Sequence, residues 1–269
     1  MRDPAITAIK RSVHLVVCLA TLLAFHATAA AAEIRVMISG GLSAAYKELV
    51  PQFERASGHT VVTAYGPSMG TTVNAIPVRL ARGERADVLI MVGDALGAMI
   101  AQGKAVATTR VDLVRSPIGM VVRAGAPKPD ISTPEALRQT LLAARSVAYS
   151  DSASGVYVGT ELFARLGIAD QMKGKARMIP AEPVAAGVAR GDSELGFQQI
   201  SELLPVPGVD LVGPLPEPVQ KITVFSAAVA TGAREPEAGR ALIAFLASPA
   251  AAPALGRSGL DPLAVAPAK

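Results

Sequence analysis

The chain has 269 residues, of which 26 are lysine or arginine, 22 are aspartate or glutamate, three are histidine and one is cysteine. A formal net charge of +4 is too small for a polyanion-binding surface, so the composition argues against nucleic acid as a partner. Three histidines and one cysteine provide little for the common zinc sites, and we expect neither a metal nor a cofactor.

Residues 1–32 are predicted to be a secretory signal peptide. Basic residues at positions 2, 10 and 11 precede an apolar run over 13–25, and Ala27-Thr28-Ala29 offers a cleavage site. The run is shorter than the roughly 20 residues of a transmembrane helix, and an uncleaved anchor is the alternative. We therefore expect a soluble, monomeric protein in the periplasm.

Cleavage there would remove Cys18 and two of the three histidines, leaving His59 with 23 basic and 21 acidic residues. Without a cysteine, the rest of the chain has neither a thiol nor a disulfide. His59 lies in a Ser-Gly-His-Thr turn, which favours a solvated turn residue over a member of a Ser-His-Asp triad.

Strand and helix patterns alternate along the first third of the remaining chain. Strand patterns cover 33–38, 60–65 and 86–92, and each precedes a helical pattern, over 42–55, 71–80 and 95–102. The run at 86–92 is continuously apolar, which is typical of a parallel strand buried on both faces. This order predicts an α/β fold in which helices cover both sides of a parallel sheet.

The rest of the chain is predicted to form a second α/β unit and then to return to the first. Strands are expected at 118–123, 146–150, 194–199 and 222–231, with 209–216 as a loop or an edge strand. Helices are expected after Thr133, after Ser154, and over 184–190, 235–247 and 249–257. With crossings near 109–117 and 214–222, residues 33–114 and 223–269 form one lobe and residues 115–222 the other.

Three turns between a strand and a helix carry small residues that leave backbone N–H groups free. The candidate ligand-binding residues in them are Ser39, Gly40, Gly41 and Ser43; Ser68, Met69 and Gly70; and Ser152, Ala153 and Ser154. Such N–H groups attract anions, and ligands of open α/β sheets lie beyond the carboxyl ends of the strands. The turns therefore predict a cleft for a small anion, the alternative being three ordinary helix caps.

The order of elements, the Gly66-Pro67-Ser68 turn and the segment ARGERADVLI–GDALGAMIAQGKA within 81–105 resemble the molybdate-binding protein family. These proteins are type-2 periplasmic solute-binding proteins of ABC importers, and the resemblance covers nearly the whole chain after the signal. It implies two lobes, each a mostly parallel sheet flanked by helices, with the ligand cleft between them. It also implies a small anion as ligand and the membrane permease of an ABC importer as partner.

The resemblance further implies roles for individual residues. In the family, hydroxyl and backbone N–H groups hold an oxyanion; by position the first-turn serine falls near Gly41 and the second-turn serine matches Ser68. The second-lobe turn falls at Ala153-Ser154, and the family's binding tyrosine falls near Gln199. Glycine for serine and glutamine for tyrosine are departures from the family. Because the amides of Gln198 and Gln199 can donate to a carboxylate, a polycarboxylate is the alternative to an oxyanion.

This divergent branch also resembles aconitate isomerase, a periplasmic enzyme on the same scaffold, which implies a tricarboxylate ligand and a 1,3-proton shift. Such chemistry needs a base near the methylene carbon and cationic or N–H partners for the carboxylates. The candidate bases are Asp151 and Asp94, with Tyr149 and Tyr157 behind them, and the candidate cation is Arg115. The alternatives are helix-capping or turn roles for the aspartates and a solvent-facing linker position for Arg115.

Three functions are therefore compatible with the sequence. The favoured one is a receptor that captures a small anion for an ABC importer, and the second is an aconitate isomerase acting in the same cleft. A receptor leaves its ligand unchanged, whereas the isomerase converts cis- into trans-aconitate without a cofactor. A sensor subunit that presents bound ligand to a membrane partner shares every sequence feature with the receptor.

Overall fold

The computed structural model describes residues 31–180 and 182–263, so the predicted signal peptide lies outside the described residues except at its end. The chain from Ala32 onward forms one compact unit. Its strands are β1 (Glu33–Ile38), β2 (Thr60–Tyr65), β3 (Val88–Val92), β4 (Val111–Ser116), β5 (Ile118–Arg123), β6 (Val147–Ser150), β7 (Ala176–Ile179), β8 (Leu195–Gln199), β9 (Val209–Pro214), β10 (Thr223–Val229) and β11 (Asp261–Pro262).

Helices connect most of these strands. The α-helices are α1 (Ser43–Ser57), α2 (Ile76–Ala81), α3 (Gly93–Ala101), α4 (Pro134–Ala143), α5 (Ala153–Tyr157), α6 (Phe163–Arg165), α7 (Ala169–Met172), α8 (Val184–Arg190), α9 (Ile200–Leu203), α10 (Pro236–Leu246) and α11 (Ala252–Arg257). Short 3-10 turns lie at Gly40–Leu42, Ala107–Thr109 and Glu217–Val219, and a π-helical turn at Val158–Leu162 joins α5 to α6. Helix α2 begins later than predicted because Pro77 lies in its first turn.

The strands form two sheets. The first has the order β11-β4-β10-β3-β1-β2, and the second has the order β7-β6-β8-β5-β9. In the first, β1 is parallel to β2 and β3, whereas β10 is antiparallel to β3 and β4. In the second, β6 is parallel to β7 and β8, whereas β5 is antiparallel to β8 and β9. The two-sheet α/β architecture is confirmed, but both sheets are mixed rather than mostly parallel.

The antiparallel strands carry the chain from one sheet to the other. Residues 111–116 form β4 of the first sheet, so the crossing predicted over 109–117 shortens to Pro117, after which β5 enters the second sheet. The chain returns between Pro214 and Thr223. Strand β4 was missed because its sequence, VDLVRS, buries Leu113 and Val114 but leaves Asp112 and Arg115 exposed. The lobe boundaries given above stay a prediction.

Each sheet buries apolar side chains on both faces, as the alternation of strand side chains requires. In β1, Val36 and Ile38 pack with helices α1, α10 and α11, while Met37 packs with α2 and α3 on the other face. In β5, Met120 packs toward α4 and the helices after β6, while Val121 packs toward α8 and α9. This two-sided burial holds the carboxyl ends of the parallel strands, and the turns that follow them, in fixed positions.

Candidate functional site

A cavity of about 570 Å³ lies where the carboxyl ends of strands from both sheets meet. Of the residues predicted from the sequence, the structure brings the following to its wall: Ser39, Gly40, Gly41, Ser43, Ser68, Met69, Asp151, Ser152, Ala153, Gln198 and Gln199. Ser201, Glu202, Lys47, Tyr65, Glu182 and Phe225 also line it, and the sequence did not indicate them.

Six other predicted residues do not line this cavity: Gly70, Asp94, Arg115, Tyr149, Ser154 and Tyr157. Gly70 lies beyond Met69, and its φ of 94° serves the turn after β2. Ser154 is 1% exposed and its hydroxyl contacts those of Ser150 and Ser152 at 3.1 and 3.3 Å, so it stabilises the turn from within. Arg115 is exposed on β4 in register with Asp261, and Asp94 is exposed in the first turn of α3.

Two serines that line the cavity have buried hydroxyls. Ser39 is 3% exposed and Ser201 is 2% exposed, and neither side-chain oxygen has a hydrogen-bond partner within the described part of the chain. A buried hydroxyl without a partner is costly, and a ligand that accepts a hydrogen bond removes the cost. Ser39 comes from the turn after β1 and Ser201 from α9, so one ligand could accept from elements of both sheets.

Ser68 lines the cavity and also holds the second turn in place. Its Oγ accepts a hydrogen bond from the backbone N–H of Val92 at 2.9 Å, which ties the second turn to the end of β3. Because the oxygen is used as an acceptor, the hydroxyl proton is left to donate toward a ligand. An anion would therefore meet oriented O–H donors on this wall.

The two glutamines at the end of β8 are held differently. Gln198 Oε1 accepts from the backbone N–H of Val184 at 3.0 Å, which directs its NH₂ group to the Glu202 carboxyl. With the amide of Gln199 oriented so that both ends are satisfied, Nε2 donates to Ser116 Oγ and Oε1 accepts from Thr223 Oγ1, both at 2.8 Å. The Gln199 side chain therefore joins the ends of β4 and β10, although the residue lines the cavity.

Glu202 is one of the titratable cavity residues that the sequence did not indicate. Its Oε1 lies so close to the backbone of Gly40 that a Cβ on that glycine would overlap it. Desolvation by burial raises the pKa of Glu202 to about 7; the Gln198 hydrogen bond opposes this shift and the charge of Asp151 adds to it. Among the residues that the structure describes, no lysine or arginine contributes to its pKa. A carboxyl in this state can both accept and donate a proton near neutral pH.

Lys47 on α1 supplies a positive charge at the cavity. Its Nζ lies 5.2 Å from the centroid of the Tyr65 ring, and both side chains are exposed. Among the described residues that line the cavity, it is the one lysine or arginine. Lys47 therefore takes the place in the cavity that the sequence suggested for Arg115.

Phe225 explains the glycine that departs from the molybdate-binding family. A Cβ on Gly41 would overlap the ring of Phe225, which belongs to β10 and lines the cavity. The space that a first-turn serine would need is therefore filled by an aromatic side chain. The wall here is apolar, unlike a cage of donors around a tetrahedral oxyanion.

A larger cavity, of about 970 Å³, lies on the second sheet's side of the chain, between the loop after β5, α4 and the start of β8. Its wall includes Ser193, whose buried hydroxyl also has no partner among the described residues. It has no residue from the turns after β1, β2 or β6. The 570 Å³ cavity is therefore the candidate site.

Two mixed sheets with a cavity at their facing strand ends define the type-2 periplasmic binding protein fold. The chain belongs to the family of bacterial extracellular solute-binding proteins, whose sequence model matches residues 34–261. Members of this family are located outside the cytoplasmic membrane. The predicted resemblance to the molybdate-binding proteins is confirmed.

Individual relatives agree with this assignment. The chain is 52% identical over 234 residues to an aconitate isomerase from a Pseudomonas species, covering 87% of this chain and 89% of that one. It is 27% identical over 234 residues to the molybdate-binding protein ModA of Azotobacter vinelandii, covering 83% and 87%. A solved sulfate-binding protein from Mycobacterium tuberculosis superposes with a TM-score of 0.68 at 17% identity, covering 86% and 87%.

No helix within 31–180 and 182–263 combines the length and apolar character that a membrane span requires. The same part of the chain contains no group of three or more His, Cys, Asp or Glu side chains placed to hold a metal ion.

Proposed function

We propose that the protein is an isomerase that interconverts cis- and trans-aconitate in the 570 Å³ cavity. The similarity to the Pseudomonas aconitate isomerase supports this, since it extends over 87% of the chain and therefore includes every residue of the cavity wall. Aconitate carries three carboxylates on a three-carbon unit, and its isomerisation requires only that one proton move between the two outer carbons of that unit.

The observation that carries the proposal is the Glu202 carboxyl, which lines the same cavity as the neutral hydroxyl groups of Ser39, Ser68 and Ser201. In a receptor for anions, an ionised carboxylate without a cationic partner would repel the ligand and weaken binding. In an isomerase, a carboxyl of pKa about 7 is the group that takes up and returns a proton. The cavity therefore suits proton-transfer chemistry better than simple capture.

A tricarboxylate fits the distribution of donors better than a small oxyanion does. The unpartnered hydroxyls of Ser39 and Ser201 lie on elements of different sheets, and Lys47 adds a cation at the α1 side. The Phe225 ring offers an apolar surface to the carbon skeleton of the ligand. Each of these donors could bind a different carboxylate of the ligand, while the apolar ring contacts the carbon chain between them.

A receptor for a polycarboxylate is the second candidate, and membership in the solute-binding family favours it. In that case the protein would act in the periplasm, with residues 33–114 and 223–269 as one lobe and 115–222 as the other. Closure of the lobes over the ligand would give a dry site with charge-assisted hydrogen bonds. The permease of an ABC importer would then be its partner.

Proton NMR of the purified protein with cis-aconitate separates the two candidates. We expect trans-aconitate to accumulate without any added cofactor, and the same equilibrium mixture to form from either isomer. A thermal-shift series with both aconitates, citrate, molybdate and sulfate measures binding independently. A ligand at about one hundred times its Kd stabilises a protein by roughly 2.7 kcal/mol. Stabilisation by the aconitates without conversion would favour the receptor.

A further inference from the structure

Three carboxyls line the cavity, and they are held in different ways. Glu182 is exposed and forms an ion pair with Arg190 at 2.9 Å, whose guanidinium keeps the pKa of Glu182 below its usual value. Asp151 is half-buried at the turn before α5. Glu202 reaches from α9 to the first turn, where its carboxyl lies against the Gly40 backbone and accepts from Gln198.

We propose that Glu202 is the single proton carrier of the isomerisation, the group that removes the proton from one carbon of aconitate and returns it to another. This inference rests on the isomerase function proposed above. It replaces Asp151 and Asp94, the bases considered from the sequence, because Asp94 is exposed outside the cavity and Glu202 is the carboxyl that lies against the Gly40 backbone with a hydrogen bond from Gln198.

The step is balanced with Glu202 alone. The ionised carboxylate takes a proton from the methylene carbon, and the electron pair of the broken C–H bond spreads over the three-carbon unit and its adjacent carboxylate. The former double bond then supplies the electron pair for a new C–H bond at the other outer carbon, to which Glu202 returns the proton. Substrate and product have the same composition, Glu202 ends ionised as it began, and no oxidant or reductant takes part.

The surroundings of Glu202 suit this role. Helix α9 packs against β5, β8, α1 and the 3-10 turn Gly40–Leu42. Helix α1 brings Lys47 to the cavity, whereas the 3-10 turn and β8 carry no titratable residue. Arg123 lies at the far end of β5, in register with Val209. Asp151 and Glu182 are the other charged groups facing the cavity, with Tyr65 as a neutral titratable one. Of these charged groups, Asp151 acts on Glu202 and raises its pKa.

Since the carboxylate must be ionised to begin the reaction, kcat/KM should rise with pH through a midpoint near 7 and then level off. Removing the charge of Asp151 should lower that midpoint while leaving proton transfer intact. If Glu202 had only a structural role, the pH midpoint of kcat/KM would not move when the charge of Asp151 is removed.

The experiment compares the full protein with Glu202→Gln, Asp151→Asn and, as a matched control outside the cavity, Asp94→Asn. Turnover of cis-aconitate is followed by proton NMR at pH values from 5 to 9. Affinity is followed by calorimetry with tricarballylate, the saturated tricarboxylate, which has no double bond to shift. A retained tricarballylate Kd demonstrates that a variant is folded.

We expect Glu202→Gln to lower kcat by roughly 10²- to 10⁴-fold without weakening the binding of tricarballylate. Asp151→Asn should keep most of the turnover with its pH midpoint displaced downward, and Asp94→Asn should match the wild type. A wild type that converts neither isomer overturns the proposed function itself. An active wild type whose Glu202→Gln variant keeps kcat within tenfold overturns only the assignment to Glu202, as does loss of turnover confined to Asp151→Asn.

Discussion

The Glu202 carboxyl lies against the backbone of Gly40, in the space that the Cβ of any other residue at position 40 would occupy. The two residues are far apart in the chain and follow strands of different sheets, β8 and β1. Glycine at position 40 therefore leaves room for the carboxyl and is not needed for the backbone conformation, since Gly40 does not have a positive φ. Through this contact, the carboxyl of the helix after β8 lies beside the turn that follows β1.

Replacing Gly40 by alanine should displace the Glu202 carboxyl without unfolding the protein. The atom in the way is the end of a flexible side chain, which can rotate at little cost. Misplacement of a reacting group by about 1 Å typically costs on the order of 100-fold in rate, so kcat should fall by that order. The measurement is kcat for cis-aconitate together with the urea midpoint of unfolding.

The control for this variant is Gly256→Ala. Gly256 lies in α11, has open space around its missing Cβ and does not require a positive φ. Alanine there should leave kcat unchanged and increase helix stability by up to about 1 kcal/mol. Equal kcat values for the Gly40→Ala and Gly256→Ala variants would contradict the role of the Gly40–Glu202 contact.

The raised pKa of Glu202 also makes the stability of the ligand-free protein depend on pH. Its pKa rises from 4.5 to about 7 on folding, so the folded state holds this proton more tightly than the unfolded state. The contribution of Glu202 to the free energy of unfolding is therefore fully present below pH 4.5, declines as the pH rises through this window and is lost above about 7.

Glu202→Gln removes this dependence. Relative to the wild type, the variant should gain stability between pH 5 and pH 8, by on the order of 3 kcal/mol at the upper end. Urea unfolding of both proteins across this range gives the difference, in which the titration of all other groups cancels. Parallel stability curves would show that Glu202 is not desolvated in the free protein.

The sequence predicts those parts of the molecule that depend on local pattern. Strands β1, β2 and β5 were predicted with their observed bounds because their residues alternate or are continuously apolar between clear turn signals. The turns after β1 and β2 were predicted as part of the cavity because small residues separate each of these strands from the helical pattern that follows it. Strand β4 was not, since its pairing with β10 and β11 involves segments more than a hundred residues away.

The function of Glu202 could not be predicted, because the properties that single it out arise from tertiary contacts. In the segment Ile-Ser-Glu-Leu it looks like an ordinary surface glutamate of a short helix. Its burial, its bond from Gln198 and its contact with Gly40 exist only once the two sheets face each other. For Arg115 the sequence predicted a role that the structure does not support. Its position near the crossing suggested that it reaches the cleft, but the alternation of side chains along β4 turns Arg115 to solvent.

The unpartnered hydroxyls allow a sharp test of ligand binding. Replacing Ser39 or Ser201 by alanine removes a donor that bonds nothing within the described chain, so the free energy of unfolding should not fall. A hydrogen bond to a charged acceptor is worth about 1.5–3 kcal/mol, so each change should weaken tricarballylate binding roughly tenfold or more. Calorimetry measures the Kd.

Ser193→Ala is the matched control for these serines. Its hydroxyl is also buried without a partner in the described part of the chain, but it lines the 970 Å³ cavity instead. The variant should bind tricarballylate like the wild type. Weaker binding in Ser193→Ala, or unchanged binding in both cavity variants, would remove Ser39 and Ser201 from the ligand's surroundings.

Lys47→Met tests which cation attracts the carboxylates. Lys47 lines the cavity on an exposed face, where a charge contributes about 0.5–1 kcal/mol and is screened by salt. KM for cis-aconitate should therefore rise about two- to fivefold with kcat nearly unchanged, and the difference should shrink as the salt concentration increases. Arg115→Met, which removes the exposed cation on β4, should leave KM at the wild-type value. If Arg115→Met instead raised KM and Lys47→Met did not, the ligand would be approached from the β4 side, and the cavity described here would not be its site.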